Sequence, residues 1–465
     1  MKYDISSIEE NYNVKLDDTQ KAVLSSLINF IYTKNEQCIC LRASAGTGKS
    51  LILSMLYDIL DDNGYLCTFV TPTNKAKLSL ESKGAPGRDA QTIHSLLHLT
   101  PNLNILDFDA SQLSFNFEST KQYVRYDVLI VDECSMINEE LYDSLTSIYK
   151  KSKIIFSGDP HQLYSVKENH ISKTFSNRTL SLTKIYRQTE GKLYKVFDYL
   201  RNKPLYKFKN VDDESGSIIV CDNINKMLLQ YSYLFKLSED FKDSNLVKLI
   251  SYTNSRVSAL NGLIRRCLGH TEEYVKGDVL VGYDSTTYSP ISVCLNTKQE
   301  TSIQIDNSQD YVVLEGFRKT WRGLNTWYLR LQNVNGEKFF VEILSKDNDP
   351  TMISNFAHEL ELLRMDAVIA DKKSASKKWR KFFNLYNAFL TPFDISFAGR
   401  VIKRKSLDYG YCTTVHKVQG SQYSTVMIDM ENLWRCKNPE ELRQLQYVAC
   451  TRTTSNLIIY QKNPC

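Results

Sequence analysis

The chain has 465 residues, of which 42% are hydrophobic and 24% charged, with a net charge of +5. This length exceeds what one hydrophobic core holds, so we expect roughly two to four structural units of ordinary globular composition. The sequence contains no apolar run that could cross a bilayer and no apolar signal-peptide core, so we expect a cytoplasmic protein with no membrane partner. The 11 cysteines form no CxxC pair, which favours a reduced chain without a zinc site.

The first predicted helix spans residues 17–33. Asp17 can cap its amino terminus. The amide of Gln20 offers both a donor and an acceptor, which suits the edge of an adenine ring. A glutamine in a first helical turn is usually just solvated, so this signal has weight only beside a nucleotide site.

A strand, a glycine-bearing loop and a helix are predicted over residues 38–60. The loop reads ASAGTGKS at residues 43–50 and departs from the usual phosphate-loop pattern at Ala43, where a glycine is expected. Glycines let backbone N–H groups converge on phosphates at the positive end of the next helix. The sequence therefore predicts nucleotide binding, with Lys49 on the β- and γ-phosphates and Ser50 on Mg²⁺.

Two polar segments and an insert follow. A predicted strand at 66–70 ends in TPTNKAK, and QTIHSLL follows at 91–97. Ligand sites of α/β sheets lie at such strand ends. Alternation at residues 113–117 predicts a small hairpin within 98–122, either a wedge with an exposed aromatic tip or a plain solvent-facing hairpin.

Two adjacent carboxylates follow the apolar strand predicted at 128–131. Asp132 and Glu133 there need metal or water, because buried unpaired charge is costly. Asp132 is expected to hold Mg²⁺ and Glu133 to orient or deprotonate the attacking water, the alternative being a structural acidic turn. Further on, Gln162 can sense a γ-phosphate and Arg187 can act as an arginine finger.

The rest of the chain predicts a second α/β region that is interrupted. Residues 190–245 are charged and helical in pattern, and a strand at 246–252 begins the second α/β region. Period-2 segments between 272 and 404 predict a small β-barrel, followed by helices near 355–373 and 377–390. The second helix interleaves basic and aromatic residues, which suits either a nucleic-acid strand or an ordinary amphipathic helix. The α/β pattern resumes after 404, with a helix at 442–452 that ends at Arg452.

In order, the chain shows Gln20, ASAGTGKS, TPTNKAK, QTIHSLL, LIVDECSM, GDPHQL, YRQ, TTVHKVQGSQ and YVACTR. This set resembles the motifs of superfamily 1 helicases, in the 1B branch of RecD-like and phage Dda-type enzymes. The resemblance implies an α/β fold with two RecA-like parallel-sheet domains in tandem. It places the first at 1–185 with a pin-like hairpin insert, the second at 186–271 and 405–465, and a β-barrel plus helical insert at 272–404.

The resemblance also implies site residues. Catalytic roles fall to Glu133, Lys49, Gln162, Arg187 and Arg452. Nucleotide contacts fall to Gln20, Ala45, Gly46, Thr47, Gly48, Lys49, Ser50, Tyr186 and Gly420, and Mg²⁺ contacts to Ser50 and Asp132. DNA contacts fall to Pro72, Thr73, Asn74, Thr92, His94, Thr414, His416 and Lys417.

The function implied is an ATP-dependent, Mg²⁺-requiring DNA helicase that moves 5′ to 3′ on single-stranded DNA and opens partial duplexes. The family also implies a monomer that works with replication or recombination proteins, in the host cytoplasm if a phage encodes it. One alternative is a nucleic-acid-stimulated translocase that strips bound proteins without net unwinding. Another is a nucleotide-dependent binding module without turnover, which the presence of Lys49, Asp132, Glu133 and both arginines opposes.

Overall fold

The computed structural model describes residues 5–44, 46–73, 76–77, 80, 90–101, 115–117, 123–165, 168, 170–184, 186, 191–237, 246–290, 302–371 and 373–462. Its chain divides into two compact units. The first comprises Met1–Thr100, Phe117–Val220 and Val418–Cys465, and the second comprises Pro101–Asn116 and Cys221–Lys417. Among the described residues, none of the helices combines the length and apolar character that a membrane span requires.

In chain order the strands are β1 (Cys38–Ala43), β2 (Cys67–Thr71), β3 (Ala90–Thr92), β4 (Leu99–Pro101), β5 (Phe115–Phe117), β6 (Val128–Val131), β7 (Lys153–Gly158), β8 (Arg178–Leu182), β9 (Val211–Asp213), β10 (Gly216–Cys221), β11 (Val247–Ser251), β12 (Val279–Gly282), β13 (Thr286–Tyr288), β14 (Ile303–Ile305), β15 (Asp310–Trp321), β16 (Leu324–Asn333), β17 (Lys338–Leu344), β18 (Ile395–Phe397), β19 (Arg400–Lys403), β20 (Leu407–Tyr409), β21 (Cys412–Thr414), β22 (Tyr423–Asp429) and β23 (Thr453–Tyr460).

The α-helices are α1 (Ile5–Asn11), α2 (Asp18–Tyr32), α3 (Lys49–Asp62), α4 (Ile93–Leu96), α5 (Glu139–Ile148), α6 (Lys192–Asn202), α7 (Ile224–Tyr231), α8 (Asn254–Cys267), α9 (Pro350–Val368), α10 (Ala375–Tyr386), α11 (Met430–Leu433) and α12 (Pro439–Cys450). Short 3₁₀ helices occur at Cys134–Met136, Lys173–Ser176, Ser232–Phe235 and Val415–Val418.

The first unit is built on a parallel sheet with strand order β3-β2-β6-β7-β1-β8. All four residues of β6 are buried, as expected for a parallel strand covered on both faces. Successive side chains of a strand point to opposite faces. Accordingly, Val128 and Ile130 pack in one apolar cluster with α2 and α3, while Leu129 and Val131 pack in another with α5. Because the strands are parallel, their carboxyl ends share one edge, where Lys49 and Asp132 lie.

A second set of parallel strands confirms the predicted tandem α/β class. In the first unit β22 pairs with β23 in parallel, with Val426 opposite Leu457. In the second unit β11 pairs with β21 in parallel, with Leu249 opposite Cys412. The expectation that 190–245 is helical throughout was wrong, because β9 and β10 form an antiparallel pair within it.

The predicted β-rich insert is an antiparallel sheet with strand order β17-β16-β15-β12-β20. Its last member, β20, lies beyond residue 404, where the predicted insert ends. The predicted domain boundaries therefore do not coincide with the sheet or with the two units, and they stay a prediction. Strands β4 and β5, within the predicted hairpin, pair in a two-stranded sheet. Residues 102–114, where its tip is expected, lie outside the described residues, so the hairpin stays a prediction.

Helices α9 and α10 complete the insert with a mainly aromatic core. Phe382 and Leu385 of α10 are buried with Phe356 and Phe389, and Trp379 packs against the same cluster. The aromatic residues of the basic and aromatic stretch therefore fill a core, which is the arrangement of an ordinary amphipathic helix.

Lys403 is buried at the edge of this core. Its Nζ donates to the backbone carbonyls of Tyr386 and Phe389, and burial lowers the pKa of Lys403 to about 7.

Candidate nucleotide site

The phosphate loop adopts the conformation that its glycines permit. Gly46 and Gly48 have φ values of 86° and 83°, in the left-handed region that favours glycine. Helix α3 begins at Lys49, directly after Gly48. A Cβ atom on Gly48 would lie 2.6 Å from Gln20 Nε2, so any side chain at this position would displace the Gln20 amide. Ala45 lies outside the described residues.

The cation of the loop is held by the two predicted carboxylates. Lys49 Nζ lies 2.7 Å from Asp132 Oδ1 and 3.4 Å from Glu133 Oε1. Burial disfavours the charged ammonium, but the negative charges of Asp132 and Glu133 outweigh this effect and raise the pKa of Lys49. Glu133 has a φ of 53°, a backbone conformation that non-glycine residues rarely adopt and that clusters at functional sites.

One cavity of about 480 Å³ collects most of the predicted nucleotide residues. It is lined by Ala43, Ser44, Gly46, Gly48, Lys49, Ser50, Leu51, Ala76, Leu80, Asp132, Glu133, Gln162, Tyr186, Gly420, Ser421, Gln422 and Arg452. Its volume lies in the range of about 300–1,000 Å³ that small-molecule sites occupy. The structure thus brings Lys49, Gln162 and Arg452 to one cavity, although 403 positions separate the first from the last (452 − 49). Arg187 lies outside the described residues.

Arg452 is anchored by neutral groups in the wall of this cavity. Its Nε donates to the carbonyl of Val448 at 3.1 Å, and a terminal nitrogen donates to the carbonyl of Ser421 at 3.3 Å. The side chain is 5% exposed. Carbonyl oxygens carry no net charge, so they do not offset the positive charge of the guanidinium, which suits it to meet an anion.

Hydrogen bonds join Asp17 to both Gln20 and Tyr186 near the phosphate loop. Asp17 caps α2, and the Gln20 amide completes a capping box by accepting from the backbone N–H of Asp17. The Tyr186 hydroxyl donates to Asp17, while its backbone N–H donates to the carbonyl of Gly46 at 2.8 Å. Gln20 does not line the cavity, so its predicted contact with adenine requires the capping amide to reorient.

Thr47, another predicted nucleotide contact, is fully buried beneath the loop, where its hydroxyl donates to the carbonyl of Ser44.

The cavity fits a triphosphate with a divalent cation. Gln162 Oε1 and Ser421 Oγ are buried without a hydrogen-bond partner in the described structure, and each can bond a ligand. Two cations, Lys49 and Arg452, face the same space as Asp132. Ser50 and Asp132 supply the oxygen ligands that Mg²⁺ prefers when phosphates complete its shell. The sequence missed Ser421, although its place directly after Gly420 was a signal.

The predicted DNA residues of the first unit lie at the carboxyl edge of the parallel sheet. Thr71 and Thr92 are paired partners at the ends of β2 and β3, and Pro72 and Thr73 follow directly. The Thr92 hydroxyl caps α4, which carries His94, and burial lowers the pKa of His94. Asn74 lies outside the described residues.

The predicted DNA residues of the second unit follow β21. Thr414 ends that strand, and His416 and Lys417 lie in the next 3₁₀ helix. Lys417 Nζ lies 3.6 Å from the ring centroid of Tyr283 and donates to the carbonyls of Gly282 and Tyr283, each at 3.4 Å.

This chain is similar to several known proteins. A solved structure of Pif1 helicase from Candida albicans covers 97% of this chain and 96% of that chain, at 16% identity and a TM-score of 0.48. The uncharacterized protein R530 of Acanthamoeba polyphaga mimivirus is 23% identical over 94% of this chain and 98% of its own length. The ATP-dependent RecD2 DNA helicase of Deinococcus radiodurans is 29% identical over a matched segment that spans 37% of this chain and 22% of that protein.

Two family models match the chain where the motifs lie. A model of an AAA domain matches residues 15–220, and a model of a UvrD-like helicase C-terminal domain matches residues 409–460. The first match contains the phosphate loop and the Asp-Glu pair, and the second contains Gly420 and Arg452. Through these matches, the order of its motifs and the RecD2 relative, the chain is similar to the superfamily 1B helicases of the RecD-like type.

Proposed function

We propose that this protein is an ATP-dependent DNA helicase that translocates 5′ to 3′ on single-stranded DNA and unwinds duplex DNA. One observation carries the proposal: Lys49, Asp132, Glu133, Gln162 and Arg452 line a single cavity of nucleotide size. The match of residues 409–460 to a model of a UvrD-like helicase C-terminal domain supports it. So does the likeness to RecD2, whose name describes an ATP-dependent DNA helicase.

The ion pairs at the loop act as a switch in this proposal. Without a ligand, Lys49 neutralises Asp132 and Glu133. A triphosphate offers the ammonium a larger negative charge and draws it away from the carboxylates. Asp132, with Ser50, then becomes available to hold Mg²⁺, which when bound supplies charge neutralisation at the phosphates.

Hydrolysis then uses the freed carboxylate. Glu133 orients the attacking water and accepts its proton, and the left-handed backbone at this residue fixes where the carboxylate points. Gln162 and Arg452 contact the γ-phosphate and stabilise the charge that develops on it, assisted by the predicted finger Arg187. Because ADP lacks the γ-phosphate, these contacts distinguish ATP from ADP.

This difference can drive movement along DNA. A ligand shifts a conformational equilibrium only by its differential interaction with the two states. ATP links Lys49, Gln162 and Arg452 through its γ-phosphate, and release of phosphate removes that link. The predicted DNA residues, from Pro72 to Lys417 along the chain, then grip and release the strand in alternation. Contacts to phosphates make such binding independent of sequence and sensitive to salt, with a slope of about −0.7 per phosphate.

A partial-duplex assay tests the proposal. Labelled duplexes with a 5′ tail, a 3′ tail or no tail are mixed with protein and ATP, and strand release is measured alongside ATP hydrolysis. We expect release from the 5′-tailed duplex alone, and none with the Lys49→Ala variant. Release from the 3′-tailed duplex would contradict the polarity.

The same assay separates the alternative. ATP hydrolysis stimulated by single-stranded DNA without release of any strand would favour a translocase that displaces bound proteins. Displacement of streptavidin from biotinylated single strands then measures that activity directly. The absence of ATP hydrolysis under all these conditions would contradict both readings.

A further inference from the structure

A buried hydrogen bond joins two segments of the first unit that are far apart in sequence. The hydroxyl of Tyr447, on α12, donates to Asp159 Oδ2 at 2.7 Å. Both side chains are only 1% exposed. Burial and the nearby charge of Asp159 raise the pKa of Tyr447, so the phenol stays protonated and remains a donor. A carboxylate that is buried in this way depends on its donors, because an unsatisfied buried charge is costly.

On one side, the bond fixes the loop that carries Gln162. Asp159 Oδ1 accepts from the backbone N–H of His161 at 3.0 Å, and the carbonyl of Asp159 accepts from the backbone N–H of Gln162 at 3.2 Å. The His161 ring packs edge-on against the Tyr447 ring, with centroids 6.1 Å apart. Asp159 therefore sets the backbone of the residues that lead to Gln162.

On the other side, the bond fixes the turn that carries Arg452. The carbonyl of Tyr447 accepts from the backbone N–H of Thr451 at 3.0 Å and from its hydroxyl at 2.7 Å. The same hydroxyl accepts from a terminal nitrogen of Arg452 at 3.2 Å. A continuous path of hydrogen bonds thus runs from the Gln162 loop through Asp159 and Tyr447 to Arg452.

We propose that Tyr447 is a positioning residue that holds Gln162 and Arg452 at a common spacing across the cavity, so that both meet the same γ-phosphate. The inference rests on the proposed function. Gln162 and Arg452 are 290 positions apart in the chain (452 − 162), and each is 5% exposed or less in the cavity wall. A shift of either segment would leave only one of them in reach of a bound phosphate. The Asp159–Tyr447 bond opposes that shift at a point buried from solvent.

A comparison of nucleotide affinities tests the proposal without requiring turnover. The dissociation constants of ADP and of the non-hydrolysable analogue AMP-PNP are measured by displacement of a fluorescent ADP, with Mg²⁺ present. The ADP constant divided by the AMP-PNP constant reports how much the γ-phosphate adds to binding. Tyr447→Phe removes only the hydroxyl that binds Asp159. We expect the ADP constant to stay unchanged and the ratio to fall by at least about 5-fold, the lower end of coupling between sites.

A matched control uses the neighbouring tyrosine. The Tyr164 hydroxyl donates to Glu440 Oε1 at 3.4 Å, so it joins the same loop region to the same helix, but nearer the surface. Tyr164→Phe is expected to leave the ratio unchanged. Asp159→Ala provides a second variant, which should lower the ratio like Tyr447→Phe because it removes the acceptor of the same bond. In the double variant the two effects should not add, because each substitution alone already removes the Asp159–Tyr447 bond.

The possible results separate the two proposals. An unchanged ratio in Tyr447→Phe, or a weakening of ADP and AMP-PNP by the same factor, would overturn the positioning role and leave the proposed function standing. A wild-type protein that binds neither nucleotide would overturn both. If Tyr447→Phe does not fold, the Asp159→Ala ratio decides the question.

Discussion

Replacing Lys49 with alanine should destabilise the nucleotide-free protein as well as prevent hydrolysis. The ammonium lies 2.7 Å from Asp132 and 3.4 Å from Glu133, and the three side chains are 13%, 8% and 15% exposed. Alanine leaves two neighbouring carboxylates in a nearly dry cleft without their cation. Removing one partner of a buried ion pair costs about 3–5 kcal/mol. Since some exposure remains here, we expect a loss of about 2–3 kcal/mol.

The stability lost in Lys49→Ala should change with pH in a defined direction. The pKa of Lys49 is raised, so its contribution to stability is complete below its ordinary value of 10.5 and is lost only at more alkaline pH. Wild type should therefore keep this contribution throughout the neutral range. In Lys49→Ala, the two neighbouring carboxylates lose the cation beside them and repel each other. The deficit should then be largest at neutral pH and shrink as the solution is acidified and the carboxylates become protonated.

Thermal unfolding followed by circular dichroism measures the effect. With an unfolding entropy of about 2.1 cal/mol/K per residue, a loss of this size in a chain of 465 residues corresponds to a Tm lower by about 2–3 °C at neutral pH. Adding Asp132→Asn to Lys49→Ala should recover much of the loss, because one charge is removed. Lys21→Ala is the control, since Lys21 pairs with Glu9 at 3.1 Å but is 35% exposed. A Lys49→Ala protein with the wild-type Tm at neutral pH would refute the electrostatic account of the site.

Four further predictions test other parts of the account. Glu133→Gln should bind nucleotide normally while ATP turnover falls by about 100-fold or more, and unchanged turnover would place the base elsewhere. Gly48→Ala should lower the Tm and weaken nucleotide binding, because its Cβ would displace the Gln20 amide beside the phosphate loop, whereas Gly64→Ala, at a similar φ with nothing within 4 Å, should lower the Tm only. Arg452→Lys should weaken AMP-PNP binding more than ADP binding, and equal weakening would argue against contact with the γ-phosphate. Burial lowers the pKa of Lys403 to about 7, so wild-type stability should rise with pH above 7 relative to Lys403→Met, and a constant difference in Tm between about pH 6 and pH 9 would contradict this.

Local patterns in the sequence singled out several residues that the structure brings to one cavity. A phosphate loop is written in consecutive residues, so Gly48 and Lys49 carry their own conformational signal. The Asp132-Glu133 pair was equally readable, because charge after a wholly apolar strand demands a ligand. The capping of α2 by Asp17 was predicted from residue type alone and is confirmed.

Contacts between distant segments could not be predicted from local patterns in the sequence. Nothing local in Tyr447 indicates a bond to Asp159, which lies 288 positions earlier. Strand β20 joined the antiparallel sheet through pairing that no short pattern records. The aromatic residues near Trp379 suited either a core or a stacking surface, and only the packing against Phe356 decided for the core.

The most direct test of the central claim is a crystal structure with AMP-PNP, Mg²⁺ and single-stranded DNA. The account predicts γ-phosphate oxygens within about 3.5 Å of both the Lys49 ammonium and the Arg452 guanidinium, with Lys49 withdrawn from the carboxylates. A bound analogue that leaves Lys49 on Asp132 and Arg452 on the Ser421 carbonyl would contradict it.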